Sequence, residues 1–192
     1  MNNTSVNEEM VFAGFGGQGV LSMGMVLAYA GMIENREVCW MPSYGPEMRG
    51  GTANCTVIVS GDTISSPIVT RFDSAVVLNQ PSLDKFEKAV KPDGVLLYDS
   101  TNIIVPPTRD DITIVPVAAT READKMENKK IMNMIVLGAL LGIRPIVTVE
   151  SVIAALRKVL PERHHKLLPL NEKAIRRGME MAQAAITADV SP

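Results

Sequence analysis

Three glycines, Gly14, Gly16 and Gly19, stand in the spacing GxGxxG within the stretch Val-Phe-Ala-Gly-Phe-Gly-Gly-Gln-Gly, residues 11–19. Glycine lets backbone N–H groups come close to a phosphate, and a helix starting just beyond adds a favourable partial positive charge. With Gly17 and Gln18 between them, Gly14, Gly16, Gly17, Gln18 and Gly19 form the first set of candidate binding residues. The same pattern also suits a bare strand-to-helix turn that needs positive φ and tight packing. A dinucleotide site would further need an acid at the end of the next strand, about 20 residues on, to hold a ribose hydroxyl. Met41, Pro42 and Ser43 occupy that place, and Glu34 and Glu37 fall at the wrong end of the strand, which argues against NAD or FAD.

A second stretch, Pro-Ser-Tyr-Gly-Pro-Glu-Met-Arg-Gly-Gly-Thr at residues 42–52, holds two prolines and three glycines and has neither helical nor strand periodicity. Arg49 offers a planar, permanently charged donor set for carboxylate or phosphate, and Gly50 and Gly51 let the backbone fold tightly beside it. Trp40 and Tyr44 are placed to pack nearby; solvated loop charges at Glu47 and Arg49 are the plainer alternative. Cys39 and Cys55 each fall in a strand, where cysteine acts as a small hydrophobe, and two thiols are too few for an iron–sulfur site. His164 and His165 lack a carboxylate or cysteine at ligand spacing. Between residues 157 and 177, seven Lys or Arg face only Glu162 and Glu172, which reads as a solvated helical face or a landing surface for a phosphorylated ligand or acidic partner. No nucleophile–base–orienter set emerges, so catalysis confined to this chain is not expected.

These residues need a scaffold. Residues 9–13 read as a strand, followed after the glycines by a helix with Leu21, Met25, Ala28 and Met32 on one face, ending near Gly31 and Asn35. Residues 37–41 read as a second strand, completing a parallel strand–helix–strand unit. Residues 54–60 and 64–69, joined by Gly61-Asp62, read as an antiparallel hairpin. Further strands are expected at 74–78, 95–98 and 112–115, and helices at 83–90, 122–141, 151–159 (capped by Ser151) and 170–186. The sum is an α/β chain: one three-layer α/β/α, Rossmann-like domain with a mixed sheet that includes one hairpin, residues 1–7 and 187–192 being loose tails. Both candidate loops would lie at the carboxyl ends of strands, where such sheets bind ligands, and would form one site.

With 192 residues, 46% hydrophobic content and a net charge of only -2, a single domain with its own core is expected, not a disordered tail or a general nucleic-acid binder. The partner should be local and specific. Few cysteines and no charged leader before the first strand point to a reduced, cytoplasmic protein, and the apolar run 131–143, interrupted by Asn133, is too short to span a bilayer. Aromatic residues are 4% and there are 12 Met, a composition that hints at an adaptable contact surface.

The glycine turn, the segment Pro-Ser-Tyr-Gly-Pro-Glu-Met-Arg-Gly-Gly at 42–51, and Ile64-Ser65-Ser66-Pro67 with Asp73 together resemble the gamma subunit of 2-oxoacid:ferredoxin oxidoreductases, in wording closest to the 2-oxoglutarate branch, with the branched-chain and pyruvate branches similar enough to stay open. The resemblance covers almost the whole chain. It implies a role in a complex that converts a 2-oxoacid, coenzyme A and oxidised ferredoxin to acyl-CoA, carbon dioxide and reduced ferredoxin. It also implies alpha, beta and delta partner subunits that carry thiamine diphosphate and the iron–sulfur clusters, and coenzyme A as the ligand of this chain. The expected cofactor-binding residues are Gly14, Gly16, Gly17, Gln18, Gly19, Arg49, Gly50 and Gly51, the Arg49 loop also facing the partners; the chain alone would be inactive. A purely structural subunit and a stand-alone nucleotide-binding oxidoreductase are the alternatives.

Overall fold

The structure, a computed structural model, describes residues 6–44 and 52–189. Its elements run β1 (Asn7–Phe15), α1 (Val20–Ile33), β2 (Glu37–Tyr44), β3 (Thr52–Ser60), β4 (Phe72–Val77), α2 (Gln80–Phe86), β5 (Val90–Asp99), β6 (Thr113–Val117), α3 (Ala119–Lys125), α4 (Met132–Ile143), α5 (Val149–Val159) and α6 (Leu168–Asp189). The six strands form one sheet in the order β2-β3-β1-β4-β5-β6. β1, β4, β5 and β6 are parallel, whereas β3 runs antiparallel to both β1 and β2. The mixed α/β fold is therefore as expected, but two pairings are not.

β2 does not pair with β1. It runs in the same direction, but β3 lies between them, so α1 crosses over an intervening antiparallel strand. The hairpin is β2–β3, with Tyr44 opposite Ala53, and residues 61–71 after β3 form no strand. Pro42, expected in a loop, sits in β2, which is an edge strand and tolerates a residue without an N–H. Pro116 lies in the other edge strand, β6, so both edges of the sheet carry a proline that discourages pairing with a further strand.

Alternation along β1 sorts the core. Met10 and Phe12 face one side with Cys55, Val57 and Val59 of β3, where α1, α4, α5 and α6 bury them. Val11 and Ala13 face the other side, packed with Leu83 and Phe86 at α2 and with Ile103 and Ile112. That second layer is thin. β5 and β6 are joined there by an extended segment, 100–112, in place of a crossover helix, and Arg109 pins it. Its Nη1 donates to the carbonyls of Glu87 and Val90 at 3.0 and 2.6 Å, while Glu87 Oε1 accepts from the N–H groups of Thr108 and Arg109. Arg109→Ala is expected to cost about 1–2 kcal/mol through two orphaned carbonyls. Hydrogen exchange should rise across residues 100–112 and stay unchanged in α4.

The helices depart from expectation in where they begin and end. The helix expected over 122–141 is two: α3 ends at Lys125, Glu127 takes φ 54, and a 3-10 turn at Lys129–Ile131 leads into α4. α5 starts earlier than Ser151, because Thr148 is the cap, its hydroxyl accepting from Ser151 N at 3.2 Å. Asn7 already belongs to β1 and α6 continues to Asp189, so the folded chain reaches further toward both ends than expected. No helix among the described residues is long and apolar enough to cross a membrane.

Charge gathers at the amino end of the sheet. Asp73 accepts from Glu9 N and from Lys91 Nζ, both at 2.8 Å, and Lys91 also holds Glu9 at 2.8 Å. Burial alone would depress the Lys91 pKa; Asp73 and Glu9 outweigh it and raise it. Asp73 therefore ties β1, β4 and β5 together at the end away from the glycine turn. On the helical side, Glu122 of α3 binds Arg177 of α6 at 2.8 Å, which lowers the Glu122 pKa below its ordinary 4.5. A lowered folded pKa gives stability that is present above that ordinary value and lost as pH falls through the folded one. Glu122→Gln should therefore flatten part of the acid limb of a stability–pH curve below about pH 4.5 while lowering stability slightly at neutral pH, the pair being half-exposed and screened.

Candidate functional site: the glycine turn at the carboxyl end of the sheet

β1 ends at Phe15 and the chain reverses in a β-turn closed by Gln18 N–H donating to the Phe15 carbonyl at 3.2 Å. Gly17, third in that turn, has φ 95, the left-handed region a type II turn demands there. Gly19 follows with φ 78 as the N-cap of α1. A glycine cap has no side chain to hydrogen-bond the helix's first N–H groups, and no acid stands in the first turn. The end of a 14-residue helix is thus left with its donors and its partial positive charge directed at the turn.

Beside it lies an open cavity of about 300 Å³ lined by Phe15, Gly16, Gly17, Gly19, the first turn of α1 with the Ser22 hydroxyl, and Ala53 of β3. Among the described residues, no charged side chain lines it. Attraction for an anion would come from the helix end and backbone N–H groups. In sheet register Gly14 lies opposite Ala53, and Ala53 opposite Tyr44, so both strands that flank segment 45–51 end next to the glycine turn. The described ends of the second stretch, Tyr44 and Thr52, thus lie at the same end of the sheet as the glycine turn. Arg49, Gly50 and Gly51 themselves lie outside the described residues.

The turn also sits at a topological switch point. α1 leads from β1 toward the β2–β3 side, and α2 leads from the neighbouring β4 to β5 on the opposite face. Ligands of open α/β sheets favour such crevices. The absent ribose-binding acid now has a geometric companion: β2, which would present it, stands two strand spacings, roughly 10 Å, from β1.

Two of the expected ligand contacts have work inside the chain. Gln18 folds back, its Oε1 accepting from Phe15 N at 2.6 Å and its Nε2 donating to the Leu78 carbonyl at 3.3 Å. Gly14 makes room for this, since a Cβ there would stand 2.6 Å from Gln18 Oε1. Cys55, behind the first turn of α1, points its thiol at the Val20 carbonyl at 3.6 Å. Burial pushes that thiol up to about 12, against weaker opposing effects of Trp40 and Gly24, so it stays protonated and is no nucleophile. Trp40 packs against the core beside α1.

Two residues near the turn were not expected from the sequence. Ser22 lies in the exposed first turn of α1, a position that simple counting from the glycines would have flagged. Asn133, the polar interruption in the apolar run of α4, abuts Gly19 and buries its Oδ1 without a hydrogen-bond partner among the described residues. His164 and His165 are elsewhere, at the 3-10 turn Glu162–Leu167, where Arg163 and the Leu160 carbonyl engage their rings.

The glycine turn leading into an uncapped helix, with an antiparallel strand inserted between β1 and β2, defines a Rossmann-like α/β domain with a mixed sheet. The chain belongs to the pyruvate ferredoxin/flavodoxin oxidoreductase family, whose pattern it matches over residues 9–181. It is 37% identical over 178 residues to the ketoisovalerate oxidoreductase subunit VorA of Methanothermobacter thermautotrophicus, covering 93% of this chain and only 37% of that one. With the 2-oxoglutarate synthase subunit KorC of Methanocaldococcus jannaschii the identity is 32% over 181 residues, covering 93% of this chain and 95% of the relative. A keto/oxoacid ferredoxin oxidoreductase gamma subunit from Geobacter sulfurreducens superimposes with TM-score 0.80 at 28% identity, over 94% of this chain and 98% of that one. A 2-oxoglutarate:ferredoxin oxidoreductase from Magnetococcus marinus, solved with 2-oxoglutarate, coenzyme A and succinyl-CoA bound, shares the fold with TM-score 0.84 at 23% identity. There the match covers 93% of this chain and 31% of the longer one.

Proposed function

We propose that the chain, as a single domain of gamma type, is a subunit of a cytoplasmic 2-oxoacid:ferredoxin oxidoreductase and contributes a phosphate site for coenzyme A. The complex would oxidatively decarboxylate a 2-oxoacid, passing the acyl group to coenzyme A and electrons to ferredoxin. Alpha, beta and delta partner subunits would hold thiamine diphosphate and the iron–sulfur clusters. The observation that carries this reading is the uncapped, acid-free start of α1 opening on the glycine-lined cavity. Arg49, with Gly50 and Gly51, belongs to the sequence segment between β2 and β3 and would face the partners and the thiol's destination.

2-Oxoglutarate is the proposed substrate, supported by the end-to-end match to KorC. The higher identity to VorA favours a branched-chain 2-oxoacid as the second candidate. Co-purifying the chain with its partner chains and comparing acceptor reduction by 2-oxoglutarate and ketoisovalerate separates the two. In the same complex, Gly16→Ala should weaken coenzyme A; unaltered affinity would remove the turn from the site. A purely structural glycine turn is the competing reading, because the contacts of Gly14 and Gly19 within the chain need glycine with or without a ligand.

A further inference from the structure

We propose that Gln18 is a positioning residue that holds the glycine turn in its binding shape, and is not itself a ligand contact. The inference rests on the reading of the turn as a phosphate site. Phe15 is the last residue of β1, and Leu78 is the first beyond β4, so the Gln18 amide bridges the ends of the two strands that flank the switch point. Its Oε1 takes the Phe15 N–H at 2.6 Å, its Nε2 supplies the Leu78 carbonyl at 3.3 Å, and its own N–H closes the turn onto the Phe15 carbonyl. The neighbouring Leu78 N–H donates to the Ala13 carbonyl at 2.9 Å, so the strand ends are already in register where the bridge is laid.

Gly14 leaves the room this bridge needs. A Cβ on residue 14 would lie 2.6 Å from Gln18 Oε1, 2.9 Å from Val20 Cγ2 and 3.1 Å from Leu78 Cβ. Gly14 thus serves the glutamine before it serves any ligand. Gln18 does not line the cavity, so the groups that meet an anion there are the N–H groups of the turn and of the helix start, with the Ser22 hydroxyl beside them. Fixing those donors in advance spares a ligand the entropy of ordering them, which is how a residue without ligand contact raises affinity.

The test uses the enzyme assembled with its partner chains and reads KM for coenzyme A against KM for the 2-oxoacid. Gln18→Met keeps the volume and removes both hydrogen bonds. It is expected to raise KM for coenzyme A on the order of 10-fold and leave KM for the 2-oxoacid unchanged, as loss of a pre-organising contact would. Gly14→Ala should do the same by pushing Gln18 aside, and Gly14→Ala combined with Gln18→Ala should be no worse than the poorer single variant, because both remove one bridge. If Gly16→Ala raises KM for coenzyme A while Gln18→Met does not, the positioning role is overturned and the phosphate site stands. If neither variant changes it, the phosphate site falls and the positioning role with it. Hydrogen exchange on the unaltered full chain gives a check that needs no variant to fold: the Phe15 amide should be protected, and free exchange there would overturn the bridge.

Discussion

Gly178→Leu is expected to prevent the chain from folding, and Gly178→Ala to lower its stability by more than any surface substitution. A Cβ built on Gly178 in α6 would stand 1.9 Å from the Ile135 carbonyl oxygen and 2.8 Å from Ala139 N in α4. The contact is reciprocal, since a Cβ on Gly138 of α4 would stand 2.0 Å from the Ile175 carbonyl oxygen. Both helices meet backbone to backbone, so no rotamer change relieves the clash and the helices must separate. Separation would strip contacts from Ile135, Ala139, Ala174 and Ile175, each fully buried between them. Overpacking usually costs about 1–3 kcal/mol where side chains can give way, and this site has none to move. A loss above roughly 4 kcal/mol removes between about a quarter and four-fifths of the 5–15 kcal/mol that holds a typical domain. The measurement is the urea midpoint of Gly178→Ala beside Gly17→Ala, where a Cβ meets nothing within 4 Å. Equal midpoints would refute the close crossing.

That crossing marks how far the sequence could be read. The apolar run of α4 announced a buried helix, but periodicity does not say which face another helix approaches or how closely. The spacing of Gly138 and Gly142 was the available signal, small residues one turn apart on one face. The start of the chain was legible because strand, glycine turn and helix follow each other within a few residues and obey local rules. Strand order was not. The β-branched content of 54–60 gave a strand, but the choice between pairing with 37–44 or with 64–69 depends on contacts beyond any local pattern. The turn Gly61-Asp62 looked sufficient for a hairpin, and the rest of 61–71 forms no strand. At the site, the residue types were visible and their roles were not. Gln18 reads as a ligand contact because it stands among glycines; its reach to Leu78, sixty residues on, is a tertiary fact that no local pattern carries.

The inserted β3 has a functional consequence of its own. It moves the end of β2 away from β1 and places Ala53 beside the glycine turn, where a cavity of about 300 Å³ lies at the helix end. On the proposed reading, such a cavity would receive one phosphate group of a larger ligand whose remainder extends outward. Phe15, Ile104 and Val105, exposed apolar side chains, lie at or beyond the carboxyl ends of β1 and β5. The geometry thus favours a ligand held at one end by this chain, in keeping with a subunit's share of a coenzyme A site.

Gly19→Ala is the variant expected to harm that share most. Residue 19 caps α1 at φ 78, where a side chain costs about 1–2 kcal/mol, and a new Cβ would lie 2.6 Å from Asn133 Nδ2 and 3.0 Å from its Cβ and Cγ. Asn133 cannot retreat freely, because it stands in the first turn of α4 with Oδ1 already buried and unpaired. The strain is therefore expected to be relieved by tilting the start of α1, the element whose N–H groups line the cavity. Misplacing oriented donors by about 1 Å costs on the order of 100-fold in what depends on them. Coenzyme A affinity should fall by 10- to 100-fold on that basis, with a lower melting temperature. Adding Asn133→Ala should remove the collision and recover part of the melting temperature, while the left-handed strain at residue 19 keeps affinity low. The decisive comparison is between the two readouts. If Gly19→Ala lowers the melting temperature yet binds coenzyme A like the unaltered chain, the helix start serves packing alone and the phosphate must be held elsewhere.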